Sequence, residues 1–81
     1  MQVTGAPMSD ADFEYQLIVI ESQPRYIVRR YGRYAIVTVD GRNGMVVLRP
    51  SGEKCELTMP ISGSRTVCVS EVAHAVQNLL R

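Results

Sequence analysis

The chain has 81 residues, 46% of them apolar and 21% charged, with a formal net charge of +1. This is one small domain of ordinary composition, which excludes wholesale disorder and any strong steering of the whole molecule toward nucleic acid. A domain of this size buries only about 60% of the surface its unfolded chain exposes, so dimerisation or docking would help it.

Apolar runs such as Leu17-Ile18-Val19-Ile20 fall far short of the roughly 20 residues that cross a bilayer, and no cationic leader precedes this one. The expected location is therefore the cytoplasm. There Cys55 and Cys68, without C-x-x-C spacing, read as small reduced hydrophobes, although sequence alone does not judge whether they can bridge.

Residues 1–12 mix small and polar types with Gly5 and Pro7 and read as a flexible N-terminal arm, with Met8 a conceivable second start; residues 13–81 read as a single α+β domain. Ser9-Asp10-Ala11-Asp12 resembles a capping box that would open a helix with Phe13, Leu17 and Ile20 on one face. Against that, the β-branched cluster at 17–20 fills every side of such a helix and fits a strand buried on both faces better. A strand over residues 13–22 is the expectation.

After the turn signal Ser22-Gln23-Pro24, residues 24–39 hold four of the nine basic residues and three of the four tyrosines. Arg25, Ile27 and Arg29 alternate with Tyr26, Val28 and Arg30, as a strand requires. Gly32 makes the stretch either a hairpin or one long bent strand. Asp40-Gly41-Arg42-Asn43-Gly44 is the strongest turn signal in the chain and predicts a hairpin into the strand of Met45-Val46-Val47-Leu48-Arg49. Pro50-Ser51-Gly52-Glu53 makes a further turn, and Cys55, Leu57 and Met59 then point inward.

Residues 60–64 break the pattern and residues 65–69 add a short extended piece. Ser70 is a good N-cap for a helix whose stripe is Val69, Val72, Ala73, Val76, Leu79 and Leu80. Glu71 suits its first turn and Arg81 its last. The expected fold is thus α+β: an antiparallel β-meander of four to five strands with one C-terminal α-helix packed on one face, the other face wet.

Motifs for chemistry are sparse. No glycine pair leads into a helix with a Lys-Ser or Lys-Thr, the calcium-loop pattern after Asp40 lacks its alternating oxygens, and two separated cysteines with one histidine do not supply zinc's four ligands. His74 falls on the polar side of the C-terminal helix, away from the role of a general base. The expectation is a non-enzymatic protein without cofactor or metal.

The basic, aromatic middle is what remains. Arg25, Tyr26, Arg29, Arg30, Tyr31 and Arg33 are the candidate binding residues, since tyrosine and arginine are enriched at interface hot spots and also stack on bases and neutralise phosphates. The plain alternative is a solvated face whose arginines pair with Glu14, Glu21 or Glu56. The leading expectation is a small protein that modulates or inhibits a protein or nucleoprotein partner, of the kind carried by phages or plasmids. A single-stranded RNA- or DNA-binding module and a structural homodimer are the alternatives.

Overall fold

Period-two burial along the strands sets the architecture. A computed structural model describes residues 5–48, 53–60 and 62–80, with five strands paired in sequence order as one antiparallel sheet. They are β1 (Tyr26–Arg30), β2 (Tyr34–Val39), β3 (Arg42–Leu48), β4 (Lys54–Met59) and β5 (Gly63–Cys68). Tyr26 and Val28, then Ala35, Val37 and Val39, then Met45 and Val47, then Cys55 and Leu57 are buried on one face. Two helices and a short turn supply the rest of that core: α1 (Gly5–Glu21) through Phe13, Leu17 and Ile20, α2 (Val72–Leu79) through Val72, Ala73 and Val76, and Val69 just before α2. The expected meander with one covered face is what forms, and the covering layer holds a second helix that the sequence reading did not favour.

The strand expected over residues 13–22 is therefore corrected to the C-terminal part of α1. Phe13, Leu17 and Ile20 recur at four and three residues and are all buried, whereas Ile18, which a strand would place beside Ile20, is 56% exposed. Propensity costs a β-branched residue at most about 0.7 kcal/mol in a helix, while burying one large apolar side chain contributes about 1.5–3 kcal/mol. Three buried side chains outweigh the local preference. The helix also takes in residues 5–12 and so begins four residues before the capping-box pattern at Ser9, and residues 1–4 lie outside the described residues.

Both hairpin signals hold. Gly32, with φ of 82°, turns β1 directly into β2, so the bent-strand alternative is not adopted. Asp40 and Gly41, with φ of 55° and 76°, form a two-residue turn in the left-handed region whose twist matches the strands it joins. Arg42 to Gly44 belong to β3 rather than to the turn. The turn expected at residues 50–53 falls, apart from Glu53, outside the described residues, as does Arg81.

At the C-terminal end the apolar stripe is as expected, but the cap is not. Val69–Glu71 form a 3-10 turn that includes Ser70, α2 begins at Val72, and no side chain at its N-cap position closes it. Gln16 of α1 instead accepts the Ala73 N–H at 2.9 Å, so a neighbouring helix satisfies a first-turn donor. Cys55 and Cys68 are free. Cys55 stands opposite Val67 and Cys68 opposite Lys54, which puts them on opposite faces of the sheet, where they cannot bridge. No helix among the described residues is long and apolar enough to cross a membrane.

Candidate functional site

The fold divides the six candidate residues. Tyr26 is 6% exposed and belongs to the core beneath the helices, with the Arg25 guanidinium 5.9 Å from its ring centroid. Arg25 itself forms an ion pair with Asp40 at 2.9 Å across the end of the β1–β2 pair. Each partner holds the other in its charged form: the hydrogen bond to Arg25 lowers the Asp40 carboxyl below its ordinary range.

Arg30 follows the inward parity of Tyr26 and Val28, but at the end of β1 it reaches α1 instead of the core. Its Nη1 and Nη2 donate to the two Glu21 carboxylate oxygens at 2.9 and 3.1 Å, and its Nε donates to Glu14 at 3.1 Å. The fork holds the Glu21 carboxyl below the usual carboxylate range, chiefly through the hydrogen bond from Arg30. Arg30 is thus a strut between strand and helix, the pairing that the solvated-face reading named.

Arg29, Tyr31 and Arg33 remain exposed, and Arg29 and Arg33 form no ion pair among the described residues. Arg29 and Tyr31 share the parity that the pleat turns away from the helices. The Tyr31 N–H donates to the Tyr34 carbonyl at 2.8 Å, and the two rings stack at 5.2 Å with 21° between their planes. They cap one end of the open sheet face.

Across that face the register aligns Arg29, Ile36, Val46, Thr58 and Ser64, one from each strand, with Ile27 beside Thr38 in the next row. Ile36, Val46 and Thr58 are only half-covered, and Ile27 is 49% exposed. An apolar depression of about 230 Å³ opens between Ile36, Gly44, Met45, Val46, Thr58 and Pro60.

The open face therefore carries an aliphatic centre, a stacked tyrosine pair at one end and an arginine beside it. Sequence reasoning found Arg29 and Tyr31 but missed Ile27, Tyr34, Ile36 and Val46. Parity would have found Ile27, which alternates in step with Arg29 and Tyr31; the others needed the β1–β2–β3 register. Elsewhere, His74 exchanges a 3.0 Å hydrogen bond with Asn78 on the exposed side of α2. Burial raises the Cys55 thiol to about 11, which keeps it protonated and poor as a nucleophile. Among the described residues no three His, Cys, Asp or Glu side chains gather in a group able to hold a metal ion. No protein-family model, curated protein or solved structure matches this chain.

Proposed function

We propose that the protein is a small binding module that docks on a protein partner through the open face of its sheet and thereby modulates or inhibits that partner. The observation that carries this reading is the composition of the face: an aliphatic centre of Ile27, Ile36 and Val46, flanked by the Tyr31–Tyr34 stack and by Arg29, which is exposed and forms no ion pair among the described residues. Interfaces place apolar area at the centre and use tyrosine and arginine as anchors, and a face left uncovered by a thin domain gains most by burial against another surface. Tyr31 acts as a rigid amphipathic anchor and Arg29 as a fork for a partner's carboxylate or carbonyl groups, with Arg33 at the rim.

The same residues could serve single-stranded nucleic acid, but the centre of the face argues for protein. Sheet-based nucleic-acid binders present aromatic rings for successive bases among several cations. Here the two tyrosines already cover one face of each other, and the row beyond them is aliphatic. The partner surface that fits is apolar with an acidic margin.

Affinity capture with nuclease treatment tests this, comparing the wild type with an Arg29→Glu/Tyr31→Ala variant. Arg30 is left intact because its reversal would break the strut to α1 and confuse lost binding with lost structure. One protein partner should survive nuclease with the wild type and bind the variant at least roughly tenfold more weakly, as loss of two anchor residues entails. Recovery of nucleic acid alone, or equal retention of the partner by the variant, would overturn the assignment.

A further inference from the structure

The aliphatic centre of the open face is not flat. Between Ile36 of β2, Gly44, Met45 and Val46 of β3, Thr58 of β4 and Pro60 just after it, the face sinks into a depression of about 230 Å³. That volume decides what fits. Sites that enclose a small-molecule ligand or cofactor run to roughly 300–1,000 Å³, whereas a cavity of roughly 150 Å³ already takes a benzene ring. The depression therefore has room for one large apolar side chain and not for a cofactor. Its lining agrees. Thr58 brings the single polar side chain, and its hydroxyl exchanges a 3.1 Å hydrogen bond with Ser64 of β5, on the side away from β3. Small-molecule sites set a few convergent polar groups among apolar walls to orient their ligand, and this lining sets none.

The sheet register says what stands beside it. Arg29, Ile36, Val46 and Thr58 form one row across the strands, so the depression lies two strand spacings, about 10 Å, from Arg29 on β1. Arg29 is exposed and forms no ion pair among the described residues. Lys54 and Glu56, the exposed charges that β4 turns to the same face, are of opposite sign, two residues apart and three strands from β1. The β1 side of the depression is thus positive. We infer that the depression is the anchor pocket of the docking face, and that its occupant is one large apolar side chain of the partner protein, set about 10 Å from an aspartate or glutamate that reaches Arg29. The pocket rests on the docking to a protein partner proposed above and specifies which residue of that partner anchors it. A second copy does not meet this description through its own open face, where Ile27 and Tyr31 flank another Arg29 and insertion would bring cation toward cation.

The test selects binders to the full chain from a displayed library of short, disulfide-closed peptides and titrates the synthesised winners against variants. Winners should share one leucine, isoleucine, methionine or phenylalanine and one acidic residue, and replacing either by alanine should weaken binding roughly tenfold or more. Thr58→Phe, which fills the depression from its own wall, should abolish binding; should the bulkier ring disturb the sheet, as the unfolding midpoint would show, Val46→Gln places an amide in the lining with little change in size. Binding lost in Arg29→Glu/Tyr31→Ala but indifferent to Thr58→Phe and Val46→Gln would overturn the pocket and leave the open-face reading standing. Winners without the shared pair of residues, winners indifferent to every variant, or no winners at all would also overturn the pocket, while capture of a partner through Arg29 and Tyr31 still decides the wider reading. Sedimentation showing a dimer that Thr58→Phe abolishes would assign the depression to a second copy and overturn it as well.

Discussion

Gly44 shows how one missing side chain lets two strands meet at a bulge. Val37 pairs with Met45, but Val39 pairs with Arg42, so β3 carries one extra residue opposite Thr38. At that bulge a Cβ on Gly44 would collide with the Val37 carbonyl, a backbone group that cannot swing aside. Gly44→Ala should therefore destabilise the protein by roughly 1–3 kcal/mol, as overpacking does, and urea unfolding with an unchanged slope would measure it. Neighbouring arginines diverge just as sharply. Arg29 faces the open side, whereas Arg30, one residue along the pleat, clamps Glu21 and Glu14. Because Arg30 lowers the Glu21 carboxyl, this pair stabilises the fold above the ordinary glutamate pKa of about 4.3, and its contribution is lost as pH falls through the lower native value. Glu21→Gln should accordingly flatten the fall in urea midpoint between neutrality and about pH 3; an acid limb as steep as the wild type's would place the loss at other carboxylates. Both groups are more than a third exposed, so the effect should shrink at high salt.

At the level of elements, α1 is where local preference and tertiary burial disagree. Ile18 and Ile20 are chemically identical and two residues apart, yet one is 56% exposed and the other fully buried. Ile20→Gln should cost about 2 kcal/mol or more through lost packing and a buried amide, while Ile18→Gln should leave the unfolding midpoint within error; equal losses would return the segment to a strand buried on both faces. The strands were legible in the sequence because their period of two is local: Tyr26 and Val28 in, Ile27 and Arg29 out, with Asp40-Gly41 fixing the turn. The helix was not, because the exposed Ile18 joins Leu17, Val19 and Ile20 in an unbroken apolar run that hides the four-and-three spacing of Phe13, Leu17 and Ile20. The cap of α2 was missed too: Ser70 offers a local oxygen, but the acceptor used is Gln16, 57 residues away in sequence. Of the candidate site, parity identified Arg29 and Tyr31, whereas the fates of Tyr26 and Arg30 depended on where α1 lies, which no window around them contains.

Taken whole, the molecule is a two-layer domain with distinct outer surfaces: an open sheet face bearing Tyr31, Tyr34 and Arg29, and a helix with Tyr15 and Ile18 exposed on its outer side. A chain this small buries a modest core, and surfaces left apolar on both of its layers are consistent with a protein that works while bound. The open edges of β1 and β5 bear Arg29 and Arg30 and, on the other side, Arg65, charges that discourage edge-to-edge pairing between copies. The most direct measurement of the central proposal is photo-crosslinking in the cell, with a benzophenone side chain at position 31 on the open face and, separately, at position 74 on the exposed side of α2. The account predicts a discrete, nuclease-resistant protein adduct from position 31 that Arg29→Glu removes, and none from position 74. Adducts to nucleic acid only, or the same adducts from both positions, would contradict it.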